Sequence, residues 1–123
     1  MPKILVVDDS RLIRQRLVKF LADEYEVVEA ENGKEAILKI ASPDWKPDCV
    51  VSDLLMPLMD GFALLDWVQK HKIGIPVIIL TADIQTETKG RCMELGAYTV
   101  LNKPPQVDQL KQTVVNAITG VPA

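Results

Sequence analysis

Five short apolar runs, each followed by an amphipathic segment, leave few folds open to this chain. The runs are Ile4 to Val7, Val27 to Val28, Cys49 to Val51, Val77 to Leu80 and Val100 to Leu101. Four are rich in β-branched residues, and several are apolar without alternation, so the strands they predict have no solvated face. Strand followed by helix, five times over, predicts an α/β fold: a doubly wound, five-stranded parallel sheet with right-handed crossovers and five helices covering both faces.

The helices carry their own start and stop signals. Ser10 can cap a first helix whose apolar face is Ile13, Leu17, Phe20 and Leu21. Asn32 and Gly33 turn the chain into a second, with Ala36, Ile37 and Ile40 on one face and Ser42–Pro43 ending it. Asp60 and Gly61 open a third over Leu64, Leu65 and Val68. A fourth runs from about Gln85 to Leu95 and stops at Gly96. The last starts near Gln106, buries Leu110, Val114 and Ile118, and stops at Gly120.

At 123 residues the chain suits one domain, residues 1–123, with one core. A net charge of −3 supplies no basic face for nucleic acid. No apolar stretch approaches the ~20 residues of a membrane span, and only Pro2 and Lys3 separate Met1 from the first apolar run, too little for a leader. The expectation is a cytoplasmic protein. Cys49 and Cys92 lack the spacing of a metal site or disulfide framework and read as reduced thiols.

In an open parallel sheet, ligands sit beyond the carboxyl ends of the strands, where the strand order switches. Four strand ends here carry reactive groups: Asp8 and Asp9, Asp53, Thr81, and Lys103. Two unit charges ~4 Å apart at an effective dielectric of 20 repel by about 4 kcal/mol, so three clustered carboxylates call for a cation or raised pKa values. Mg²⁺, held by carboxylates, a carbonyl and water, is the usual occupant of such a site. The Lys103 ammonium, the Thr81 hydroxyl and the backbone amides that follow Thr81 and Asp53 could then surround a phosphoryl group while an Asp53 oxygen attacks it in line.

With VVDDS (Val6 to Ser10), SDLLMPLMDG (Ser52 to Gly61), ILTA (Ile79 to Ala82) and LGAYTVLNKPP (Leu95 to Pro105), the chain resembles the response-regulator receiver domains of two-component signalling over essentially its whole length. The resemblance implies strand order 2-1-3-4-5 and a flavodoxin-like fold. It implies Asp53 as phosphoacceptor, and Asp8, Asp9, Asp53 and the Leu55 carbonyl as Mg²⁺ ligands. Thr81 and Lys103 contact the phosphoryl group, with the amides of Ala82 and Leu55 as further donors. It also implies a cis bond from Lys103 to Pro104. The implied donor is a histidine kinase or a histidine phosphotransfer protein. The implied output is a protein target on the surface of about residues 85–119, either in a chemotaxis-type regulator or phosphorelay or in a receiver cut from a longer regulator. Such a domain is a phosphoacceptor with only intrinsic phosphorylation and dephosphorylation, not an enzyme in the ordinary sense.

Two positions depart from the family pattern. Val100 stands where an aromatic switch residue is usual; Tyr98, two residues earlier on the expected strand, would share its face and is the substitute candidate. Leu55, two residues after Asp53, is apolar where a polar side chain often places the hydrolytic water, which implies slow self-dephosphorylation, while Asp83 would oppose this if it reached the site. Trp45 reads as a loop anchor, Trp67 as half-buried or a partner contact, and His71 as a solvated helix end. Two alternatives stay open: a haloacid-dehalogenase-like small phosphatase, although that family puts nucleophile and second acid two residues apart on its first strand, and a receiver-like interaction module that is never phosphorylated.

Overall fold

Parallel strands paired in register bring their carboxyl ends to one edge of a sheet, and this sheet is built that way. The computed structural model describes residues 1–83 and 85–123. Its strands are β1 (Lys3–Val7), β2 (Glu26–Ala30), β3 (Cys49–Asp53), β4 (Val77–Thr81) and β5 (Thr99–Asn102), all parallel, in the order β2-β1-β3-β4-β5. The helices α1 (Arg11–Leu21), α2 (Gly33–Ile40), α3 (Gly61–Lys70), α4 (Thr86–Glu94) and α5 (Val107–Thr119) alternate with them. Expected strand order and helix count are both met.

Alternate strand residues feed two cores. Leu5, Val7, Val50, Val77 and Ile79 pack with Ala36 and Ile40 of α2, Leu64, Leu65 and Val68 of α3, and Cys92 of α4. Ile4, Val6, Val51, Ile78, Leu80 and Leu101 pack on the other face with Leu17 and Leu21 of α1 and Leu110, Val114 and Ala117 of α5. In the last turn of α5 the buried residue is Ala117, and Ile118, expected inside, is only half-buried. The small side chain lets the last turn of α5 approach the sheet, and the larger one lies along its margin. The edge strand β2 is also less enclosed than expected, with Glu26 exposed and Val27 and Val28 half-buried.

Four of the five helices are capped by the side chain of the polar residue before them. Ser10, Asn32, Asp60 and Gln106 accept from the amides of Ile13, Glu35, Ala63 and Gln109 at 3.3, 2.9, 2.9 and 2.8 Å. Gln85, before α4, makes no such bond. Gly120 ends α5 in the left-handed conformation, φ 80°. Trp45 does anchor its loop, packing on the first core and donating to Glu26 Oε2 at 3.1 Å. His71 is exposed and stacks on Trp67 at 4.6 Å between ring centroids. No helix among the described residues is long and apolar enough to cross a membrane.

Two glycines should respond oppositely to alanine. A Cβ on Gly61 would lie 2.8 Å from Asp53 O and 2.9 Å from Leu54 Cα, both backbone atoms that cannot yield cheaply. Gly61→Ala is expected to cost ~1–3 kcal/mol in urea denaturation. Gly90, exposed inside α4 with nothing near its Cβ position, should gain about 0.5–1 kcal/mol as alanine. The same sign for both substitutions would contradict this account.

Candidate functional site

The chain runs outward from β1 to β2 and then crosses back to β3, so the order switches between β1 and β3. Asp8 follows β1 and Asp53 ends β3, and both are almost wholly buried, at 1% and 8% exposure. Asp9 is exposed beside them. Ligand oxygens of Asp8, Asp9 and Asp53 lie within 4.8 Å of one another. Three hard oxygen donors at that spacing, one of them exposed, fit a divalent cation that keeps part of its water shell.

Lys103, just past β5, is shared between two of these acids. Its Nζ lies 2.8 Å from Asp53 Oδ2 and 2.9 Å from Asp8 Oδ2. The remaining oxygens are also held: Leu54 N donates to Asp53 Oδ1 at 2.8 Å, and Ser10 N to Asp8 Oδ1 at 2.8 Å. The Lys103 amide donates to Thr81 O at 3.0 Å, which extends the β4–β5 ladder by one bond and aims the lysine back over the sheet edge. The bond from Lys103 to Pro104 is cis, as expected.

The loop after Asp53 is gripped from both sides. Gly61 N donates to Leu54 O at 2.7 Å, and Gly33 N, at the start of α2, donates to Met59 O at 2.9 Å. A Cβ on Gly33 would meet that same oxygen at 2.7 Å, so α2 and this loop meet only because the residue is glycine. On the outer side of the loop Leu55 and Leu58 are exposed, at 67% and 83%, with Leu58 at a positive φ of 65°.

Thr81, at the end of β4, is buried, and its hydroxyl oxygen accepts from the Asp83 amide at 3.0 Å. Ala82 is exposed. The Asp83 carboxylate turns away from the acids: Oδ1 accepts from Gln85 N at 3.0 Å and Oδ2 from the Thr88 hydroxyl at 2.6 Å. The condition under which Asp83 would oppose slow dephosphorylation is therefore not met; Asp83 ties the Thr81 turn to the first turn of α4.

Tyr98 also needs correction. Strand β5 begins at Thr99, so strand alternation does not extend to Tyr98, which packs with the α1/α5 core while Val100 packs with the α2/α3/α4 core. Tyr98 N donates to Val77 O at 2.8 Å at the amino end of β4, and its hydroxyl donates to Val121 O. Thr81 is at the other end of that strand, four residues or ~13 Å away. Tyr98 thus sits at the wrong edge of the sheet to follow the Thr81 hydroxyl.

Arg14 was invisible to the apolar periodicity of α1. It is buried on the inner face, where Nη1 donates to Asp8 O at 2.7 Å and Nε to Glu29 Oε1 at 3.1 Å. The signal for it was a basic residue between Ile13 and Leu17, facing the two glutamates of β2 and its exit, Glu29 and Glu31. The thiols of Cys49 and Cys92 are free and buried; burial pushes Cys49 up to about 12, and neither takes part in the site.

Burial pushes the Asp53 carboxyl above its ordinary value; the Lys103 hydrogen bond pulls it down, and the Asp8 charge adds to the rise. Burial alone would lower Lys103, but its bonds to Asp53 and Asp8 outweigh this and raise it. The two rises have different causes: burial for Asp53, and two carboxylates around one ammonium for Lys103.

This geometry, three clustered acids at the switch point of a five-stranded parallel sheet, a lysine bonded to two of them and a buried threonine at the end of β4, is that of the receiver class of signalling domain. The family model for the response regulator receiver domain matches residues 4–115, and the chain belongs to that family of two-component signalling proteins. It is 34% identical to the chemotaxis protein CheY of Halobacterium salinarum, over 97% of this chain and 95% of that protein. It is 35% identical to the regulatory protein AtoC of Escherichia coli over 94% of this chain, but spans only 25% of AtoC. Among solved structures, a Francisella response-regulator receiver domain matches with a TM-score of 0.90 at 36% identity, covering 98% of both chains. CheY4 of Vibrio cholerae matches at 0.86 and 34%, covering 95% of this chain and 98% of that one.

A raised acid pKa means that the native protein holds the Asp53 proton more tightly than the unfolded chain does. Ionised Asp53 therefore subtracts stability at neutral pH, and the deficit is recovered as pH falls through the raised value. In EDTA at pH 7, Asp53→Asn is expected to raise Tm, and the gain should shrink toward acid pH as native Asp53 takes up its proton. A lower Tm for the variant at pH 7 would falsify this assignment of charge.

Proposed function

We propose that the chain is a phosphorylation-dependent switch in which Asp53 accepts a phosphoryl group from a histidine kinase or histidine phosphotransfer protein. The observation that carries this reading is Asp53 itself: a buried carboxylate, 2.8 Å from Lys103 and grouped with Asp8 and Asp9 at cation-binding distance. An Asp53 oxygen attacks phosphorus, the bond from phosphorus to the donor's imidazole nitrogen breaks, and the imidazole leaves with that electron pair. Lys103 moves from ion-pairing Asp53 to ion-pairing the new phosphoryl oxygens, so its charge stays compensated. The Thr81 hydroxyl and the amides of Ala82 and Leu55 complete the donors. Asp8, Asp9, Asp53 and the Leu55 carbonyl would hold Mg²⁺, which supplies neutralisation of the charge on the transferring group.

The Thr81 hydroxyl gives the switch its outlet. Its oxygen holds the Asp83 amide, and the Asp83 carboxylate holds Gln85 and Thr88. A Thr81 hydroxyl that turns to the phosphoryl group releases the first of these bonds and loosens the start of α4, which lies within the output surface of about residues 85–119. This route needs no aromatic residue at Val100. A phosphatase of the haloacid-dehalogenase type fits less well, because the adjacent acids follow β1 and Asp53 ends β3.

Incubation with acetyl phosphate and Mg²⁺, read by intact mass, should add one phosphoryl group to the native chain and none to Asp53→Asn; a gain in both or in neither defeats the assignment. Because the exposed Leu55 cannot hydrogen-bond a water, the native phosphoryl group should outlast seconds, and Leu55→Asn should shorten its lifetime several-fold. A lifetime of seconds in the native protein would refute the role given to Leu55.

A further inference from the structure

The peptide joining the two adjacent aspartates lies beyond the sheet. Strand β1 ends at Val7; the Asp8 amide still donates to Ala30 O at 3.1 Å, but the Asp8 carbonyl is taken by a side chain, Arg14 Nη1, at 2.7 Å. Arg14 is 7% exposed, and a guanidinium so enclosed is tolerated only where its donors find acceptors. They do: Nε meets Glu29 Oε1 at 3.1 Å, and Nη2 lies 4.0 Å from Glu31 Oε1. Glu29 belongs to β2, and its carbonyl is in turn held by Lys39 of α2, which pairs with Glu35 at 3.1 Å. Arg14 therefore links α1, the exit of β1 and β2 at one carbonyl.

That carbonyl sets the plane of the peptide leading into Asp9. The Asp8 side chain is fixed by Ser10 N and Lys103, whereas Asp9 is exposed and depends on its backbone for direction. We propose that Arg14 is the positioning residue of the cation site: it holds the Asp8–Asp9 peptide so that both carboxylates face Asp53. This rests on the reading of Asp8, Asp9 and Asp53 as Mg²⁺ ligands. It also explains why an arginine occupies the core-facing side of α1. A lysine there would offer one compact charge and could not serve a carbonyl and a carboxylate through a rigid fork.

The test uses Arg14→Lys and Glu29→Gln, with Val114→Ala as a core-destabilised control on the same sheet face. Mg²⁺ affinity is measured by titration calorimetry, and the Tm and amide hydrogen exchange of Asp9 and Ser10 are measured in EDTA. The expected result is ~10-fold weaker Mg²⁺ binding in Arg14→Lys, the scale typical of residues that orient a ligand. Exchange at Asp9 and Ser10 should be faster, Glu29→Gln should change in the same direction by less, and Val114→Ala should lower Tm without loss of Mg²⁺ affinity. Equal affinity in native, Arg14→Lys and Glu29→Gln proteins overturns the proposal, as does a loss in Val114→Ala matching that in Arg14→Lys. Absence of Mg²⁺ binding by the native chain would sink the switch reading instead, and the exchange measurement in EDTA would still decide whether Arg14 holds the Asp8–Asp9 peptide.

Discussion

One ammonium serving two buried carboxylates is the constraint around which the carboxyl edge of this sheet is arranged. Lys103 reaches Asp8 and Asp53 because β1, β3, β4 and β5 end along the same edge of the sheet and the Lys103 amide continues the β4–β5 ladder. Asp53, Asp8 and Asp9 carry three negative charges against that single positive one, so the apo site has an electrostatic deficit. On the proposed reading a divalent cation would remove the deficit, and conversion of the Asp53 carboxylate to an acyl phosphate would restore about one negative charge of it. Lys103, bonded to both Asp8 and Asp53, would then have to re-pair with the phosphoryl oxygens. The same crowding accounts for Gly61 and Gly33, which let backbone approach where any Cβ would push the acid-bearing loop outward.

The parts of the fold that were legible in the sequence were those written by apolar periodicity and by polar residues at strand ends. Ser10, Asn32 and Asp60 announced their helices because a short side chain before an apolar stripe has one obvious use. Asp8, Asp9, Asp53, Thr81 and Lys103 were legible as a group because each closes an apolar run and parallel pairing must bring such closings together. What stayed hidden needs knowledge of direction. Arg14 lies between apolar positions, and periodicity does not register a charge that is buried because three acceptors await it. Tyr98 was placed on the wrong face because strand alternation was carried one residue past the true start of β5. Whether Asp83 reached the site was open in the sequence, and only the turn it makes shows its carboxylate committed to Gln85 and Thr88.

Val100 raises the question of how a change at Thr81 could be read without an aromatic lever, and the weakness of α4 supplies an answer. This helix buries only Cys92, lacks a side-chain cap at Gln85, and carries Gly90 in its interior. Its sideways contact is the Arg91 guanidinium over the Phe62 ring, 4.0 Å from the centroid, an interaction of about 0.5–1 kcal/mol at an exposed site. The helix is therefore held by a few small terms, and the Asp83 bonds to Gln85 and Thr88 are a sizeable share of them. Val100 lies on the same core face as Cys92 and offers no polar group that must be re-paired if α4 shifts. On the proposed reading, the Thr81 bond to the Asp83 amide can carry the change to α4 without an aromatic side chain at Val100.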